Sequence, residues 1–273
     1  QNFENTYTLI SDDSEILYGK ANVLSDVTAN NYEGYEPKTI EQQPIKTDGS
    51  TVIKVYYDRK TISLTFDLKG GTTLTSLIDG KLTGKYGDPF IFAVPEKAGF
   101  TFVAWQDGKI IPQTFPSKNE TFTAVWNGND IPYKVEHYLE NILDDDYTLQ
   151  TDDTQNLFGV CGKKTIANAK PYEGFIPKEF EQIDVAEDGS SVVKIFYDRK
   201  RTTLSFDLKG GTTPTLLSDG RLTGKYGALV EFEAPEKENY TFISWKNNKT
   251  LPSTFPSKDD SFTAIWLGNY GGI

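Results

Sequence analysis

The sequence predicts a mostly β protein made of two copies of one 140-residue unit, and three observations carry that expectation. Residues 57–73, YDRKTISLTFDLKGGTT, return at 197–213 as YDRKRTTLSFDLKGGTT, with 13 of 17 positions identical. The same shift of 140 residues carries Trp105 onto Trp245 and Trp126 onto Trp266 without a gap, which marks a duplicated unit rather than one large domain. Aromatic residues make up 13% of the chain, among many Val, Ile and Thr and with Gly or Pro at short intervals, a composition that favours strands over helices.

In the second copy, residues 133–138 alternate Tyr133, Val135 and His137 against Lys134, Glu136 and Tyr138, the period of a strand. Asp144, Asp145 and Asp146 read as a turn, 147–149 as a second strand, and Gly159 and Gly162 punctuate the next connection. Residues 163–170 read as one or two helical turns leading to the Tyr172-Glu173-Gly174-Phe175 corner, where Pro177 forbids a longer helix. Asp188-Gly189 signals a turn before a strand at 191–197, whose apolar residues on both faces place it inside its sheet.

The second half of each unit opens with strands at 61–68 and 202–208 that stop at Lys-Gly-Gly, where glycine permits a positive φ. A turn at Asp79-Gly80 and Asp219-Gly220, a strand at 82–86 interrupted by Gly87, a crossing through Pro95, a strand at 100–105 and closing strands at 121–126 and 261–266 follow. The units thus divide into modules at 1–60, 61–130, 131–200 and 201–273. No flexible linker separates them, so the joint at 57–68 should be stiff. Modules of about 70 residues without disulfides have small cores, and neighbouring repeats of the same chain are expected to support one another. Moving residues 133–138 back by 140 lands before residue 1. The first module is therefore expected to lack its opening strand or receive it from upstream, and to show an unpaired sheet edge without it.

A net charge of −11 and a pI near 4.7 leave no basic footprint, which argues against nucleic-acid and anionic-membrane partners. No apolar run approaches the roughly 18 residues of a membrane span and no leader opens the chain. Met is absent even from the first position, as expected of a fragment of a longer chain. A single Cys excludes an intrachain disulfide framework and a Cys-based zinc site, and suits an extracellular location.

The motifs LTFDLKGGT and LTGKYG, the proline-spaced crossing, FTF or YTF followed by Trp, and the closing TFTAVW or FTAIW resemble the InlB B-repeat family, also called the Listeria-Bacteroides repeat. Phe100 and Tyr240 with Trp105 and Trp245 match its pattern, while Ala104 and Ser244 stand where the family has Gly. The first half of the unit, with YKVEHY, YTL, Tyr-Glu-Gly-Phe and VVKIFYDR, is similar to mucin-binding-protein (MucBP-like) modules. Together the resemblances imply ubiquitin-like β-grasp (α+β) modules in an elongated array on a bacterial cell surface, attached to the wall through the parent chain. They imply a non-enzymatic stalk or spacer of an adhesin, with direct binding of a host glycan, mucin or surface protein as the alternative. Neither resemblance transfers a catalytic or ligand-binding residue.

Cys161 and His137 are the only Cys and His and have to be weighed as a nucleophile pair, but Cys161 aligns with Ala21, which points to a small buried side chain. The repeated Trp residues offer stacking faces for sugars, yet they close apolar strands and are expected in the core. The aromatics left to face a ligand are Tyr32, Tyr35, Tyr172 and Phe175. The acidic groups at Asp12, Asp144, Asp152 and Asp259 lack a calcium-loop spacing and read as solvated turns, and Asp58 and Arg59 as a local ion pair. Leu251-Pro252-Ser253-Thr254-Phe255 resembles a sorting signal but lies inside a module. No cofactor and no metal are expected.

Overall fold

In the computed structural model, which describes residues 1–269, Thr61–Asp67 forms the strand its pattern requires: Ile62, Leu64 and Phe66 are buried and Ser63 and Thr65 lie on the other face. The chain divides into two compact units, Gln1–Asn129 and Asp130–Ile273. The expected end of the last module, 270–273, lies outside the described residues.

Unit 1 contains β1 (Tyr35–Pro37), β2 (Tyr57–Arg59), β3 (Thr61–Asp67), β4 (Lys81–Lys85), β5 (Phe100–Trp105) and β6 (Glu120–Gly128). Strands β1 and β2 make a two-stranded antiparallel sheet, and the other four pair in the order β4-β3-β6-β5. In that second sheet β3 and β6 run parallel at the centre, with Phe66 opposite Phe122, and the flanking pairs are antiparallel.

Unit 2 contains β7 (Asp130–Glu140), β8 (Tyr147–Leu149), β9 (Gln155–Val160), β10 (Phe175–Pro177), β11 (Val192–Arg199), β12 (Arg201–Asp207), β13 (Arg221–Lys225), β14 (Tyr240–Trp245) and β15 (Asp260–Gly268). Its second sheet, β13-β12-β15-β14, repeats that of unit 1. Its first sheet is built on β7, which pairs with β11 in parallel and, along its other edge, antiparallel with β9 and then β8. Strand β11 lies between β10 and β7, as its two apolar faces require.

Among the described residues there is no α-helix, only three-residue 3-10 turns such as Thr151–Asp153. The helical turns expected at 163–170 are absent because the segment is held extended. The Thr165 N–H donates to the Ile183 carbonyl at 2.8 Å. The Gln182 side chain accepts from the Ala167 N–H at 2.9 Å and donates to the Ala167 carbonyl at 2.7 Å, standing in for a neighbouring strand. The segments between β4 and β5 and between β5 and β6 are likewise mostly coil, broken by Pro95, Pro112 and Pro116, with Phe90, Phe92 and Phe115 laid onto the sheet.

Three apolar cores result. In unit 1 the Phe66 ring stacks on Phe92 at 4.1 Å and Phe122 at 5.3 Å, and Trp105 meets Phe66, Phe92, Phe102 and Phe122 edge-on. Leu204, Phe206, Phe232, Trp245 and Phe262 repeat the arrangement in unit 2. Each fully buried side chain of this size contributes about 1.5–3 kcal/mol. The third core, around Tyr133, Val135, Val193, Ile195 and Tyr197, belongs to the β7 sheet. Among the described residues, 1–60 form no such cluster.

Candidate functional site

One residue, Lys60 or Lys200, separates the two sheets of each unit, and long-range polar contacts cross the connection there. In unit 2 the Arg199 Nε donates to the Glu140 carbonyl at 2.7 Å and its Nη1 to the Tyr226 carbonyl at 2.9 Å. The Arg199 backbone N–H donates to the Glu140 carboxylate at 2.6 Å. Lys225 closes on the same carboxylate at 2.5 Å, and that carboxylate, followed by Asp145, raises the pKa of the Lys225 ammonium. One guanidinium thus bonds the end of β7 in the first sheet and the end of the β13 hairpin in the second.

The 172–175 corner completes the joint. Gly174 holds φ at +76°, and its bare Cα lies so close to Tyr226 that an added Cβ would fall 2.1 Å from the ring. The Lys200 N–H donates to the Gly174 carbonyl at 2.8 Å, and the Tyr226 N–H to the Lys200 carbonyl at 2.8 Å. Unit 1 repeats the corner with Gly34, where an added Cβ would fall 2.2 Å from the Tyr86 ring. There Arg59 is 5% exposed and donates through Nη1 to the Tyr86 carbonyl at 3.0 Å and to Asp88 at 2.5 Å.

This geometry places the four expected ligand-facing aromatics. Phe175 lies under the Arg199 guanidinium at 4.8 Å and edge-on to Tyr226 at 5.9 Å, and Tyr35 meets Tyr86 at 5.7 Å. Tyr172 stands edge-on to Tyr197 at 4.9 Å and donates its hydroxyl to Asp153 at 2.8 Å, so burial and then that hydrogen bond raise its pKa. Tyr32 repeats this with Tyr57 at 4.8 Å and Asp13 at 2.7 Å. All four rings are half-buried. Within each unit, one ring of the corner faces the sheet and the other faces the joint.

The remaining candidates resolve individually. His137 is fully buried, with Nδ1 2.8 Å from the Tyr197 hydroxyl and Nε2 3.4 Å from Gln155 Oε1, so both nitrogens serve the sheet rather than Cys161. Trp105 and Trp245 are core residues, and Trp126 and Trp266 each donate Nε1 to a backbone carbonyl, of Leu68 and Leu208, at 2.9 Å. Phe255 of the sorting-signal look-alike is buried in the core. The expected Asp58–Arg59 pair is not made: Arg59 reaches Asp88 on the far side of the joint, and Asp58 accepts from the Tyr7 hydroxyl. Sequence reasoning placed this joint and missed the arginine clamp across it. The available signal was the return of Arg59 and of Tyr86-Gly87, with the common shift, at Arg199 and Tyr226-Gly227.

Comparison with known proteins locates the second sheet of each unit in a family. The model of the Listeria-Bacteroides repeat domain matches residues 63–125 and 203–264. No curated protein matches the chain. Among solved structures it is similar to the Bacillus anthracis TIE protein, at 10% identity and a TM-score of 0.28 over 85% of this chain. This chain spans 58% of the length of that one. It is also similar to the crystal structure of Mub-RV, at 14% identity and a TM-score of 0.14, over 51% of this chain and 98% of that one. Listeria-Bacteroides repeats occur in cell-surface proteins. The strands β3 to β6 and β12 to β15, with their Gly-Gly stop, Tyr-Gly hairpin and terminal Trp, are two Listeria-Bacteroides repeat domains, one in each unit.

Proposed function

We propose that the chain is a non-enzymatic stretch of a bacterial surface protein, outside the cell and held to the wall through its parent chain, in which modules 1–60, 61–130, 131–200 and 201–273 serve as an extended spacer of an adhesin. The observation that carries this reading is the joint. In both units an arginine is clamped across a single-residue connection, between a glycine corner and a tyrosine of the next sheet. A spacer needs such fixed junctions, because freely jointed modules would not hold a length. Residues 1–60 and 131–200 are read as MucBP-like modules. A parallel central pair flanked by antiparallel strands supports a β-grasp reading in which coil takes the place of the helix.

Four modules of about 70 residues, each with a radius of gyration near 11 Å, would reach roughly 100 Å end to end. Small-angle scattering of the whole chain is expected to give a radius of gyration of about 28–30 Å, and a value near 19 Å, that of one globule of this length, would overturn the spacer reading. Mucin, glycan or host-protein binding that is lost on Tyr172→Ala or Phe175→Ala, with the fold intact, would favour direct adhesion instead.

A further inference from the structure

Beside Trp126, unit 1 holds a groove of about 820 Å³ where the end of β6 meets the start of β5, a volume in the range of small-ligand sites. Phe100, Phe102 and Trp126 line it together with Lys97, Thr72 and Glu96. Trp126 stands edge-on to Phe102 at 5.5 Å and has its Nε1 committed to the Leu68 carbonyl, so it offers the groove only ring carbon. Lys97 is half-buried, with Nζ 4.4 Å from the centre of the Phe100 ring and donating to the Lys69 carbonyl at 2.8 Å. That bond uses one of its three protons. Thr72, Glu96 and Thr101 are exposed along the groove. The second repeat domain keeps this set. Lys237 Nζ lies 4.4 Å from the Tyr240 ring and 6.0 Å from the Trp266 ring, and donates to the Lys209 carbonyl at 2.8 Å. Where Phe100 changes between the copies, the ring is retained as Tyr240.

We propose that each Listeria-Bacteroides repeat domain carries a saccharide site at this groove. A neutral sugar ring lays its C–H face on the aromatic wall of Phe100 and Trp126, or of Tyr240 and Trp266. Its hydroxyls accept from the lysine ammonium and donate to the Glu96 or Glu236 carboxylate, with the threonine hydroxyls beside them. Aromatic walls with a few convergent polar groups suit a ligand that is apolar on its faces and polar round its rim. An acyl chain would strip water from the lysine and glutamate without pairing them. An anionic ligand would approach against a net charge of −11. The site uses none of the four corner aromatics, and it does not rest on the spacer reading, because a sugar can bind whatever the length of the whole.

The test places the full chain on an array of neutral and acidic oligosaccharides and then titrates the strongest neutral binder by calorimetry. Binding of neutral glycans is expected, at two sites per chain. Phe100→Ala combined with Tyr240→Ala should weaken it about tenfold, whereas Phe100→Tyr, which supplies the ring of the other copy, should preserve it. Because Phe100 also packs at the head of β5, a second variant fills the groove from an exposed position. Val94→Trp, at a residue 69% exposed, should remove the unit 1 site with the urea midpoint of unfolding unchanged. Absence of binding to neutral glycans, or a stoichiometry that Val94→Trp leaves unchanged, would overturn the proposal. So would loss of binding in Tyr172→Ala, which would put the sugar at the corner instead.

Discussion

Arg199 and Glu140 are joined twice: the Arg199 backbone N–H donates to the Glu140 carboxylate at 2.6 Å, and Nε donates to the Glu140 carbonyl at 2.7 Å. The two residues end adjacent parallel strands, so the pair fixes where the first sheet stops and the second begins. Arg59 makes the equivalent reach to Tyr86 and adds an ion pair with Asp88, so each joint is closed by one arginine.

Arg199→Ala and Arg59→Ala are therefore each expected to destabilise their own unit by about 2–4 kcal/mol. Hydrogen exchange followed by mass spectrometry resolves the units, and unchanged exchange around 57–60 and 197–200 in the variants would show that the arginines do not hold the joints.

Acidification should act on unit 2 through His137. Burial lowers the pKa of the imidazole, against a smaller upward push from the Gln155 hydrogen bond, with Lys170 lowering it and Asp153 raising it further. The folded unit then binds fewer protons than the unfolded chain, so its stability is complete above about pH 6.5 and is lost as the pH falls through the depressed folded value. Urea midpoints at pH 7.5 and 5.5 should differ for unit 2 and converge in His137→Gln. An unchanged slope in that variant would assign the effect elsewhere.

Gly174→Ala meets both a left-handed backbone and the Tyr226 ring, and is expected to cost about 2–4 kcal/mol. Adding Tyr226→Ala removes the steric part and leaves the backbone strain, so the double mutant should be less destabilised than the sum of the singles. Simple additivity would show that the ring is not pressed onto the corner.

Leu204 is fully buried in the core of the second Listeria-Bacteroides repeat domain. Leu204→Ala should lower the stability of that core by about 2–5 kcal/mol and leave exchange in the interior of β7 and β9 near its original rate. A matching acceleration in those strands would show that the two sheets of unit 2 unfold as one.

The strands were legible wherever one face is buried. Ile62, Leu64 and Phe66 alternate because β3 has one apolar side, and the two faces of 192–197 announced an interior strand. What the sequence concealed was carried by polar side chains acting at long range. Gln182 reads as a surface residue and serves as a strand edge, which turned an expected helical turn into extended chain. Arg59 stands next to Asp58 and bonds Asp88, 29 residues away, because burial of the guanidinium at the joint outweighs a neighbouring surface pair. Tyr35 and Phe175 look like open aromatic faces until the Tyr-Gly hairpin of the next sheet is seen resting against them.

In the β7 sheet and in the sheet that follows it, the first and last long strands lie side by side and run the same way. Tension applied to the two ends of either sheet would pull those neighbours past each other lengthwise. All the hydrogen bonds between them would then be loaded together in shear, instead of parting one at a time as in an unzipped hairpin. A chain built this way resists stretching through the direction of its strands, even where its cores are small.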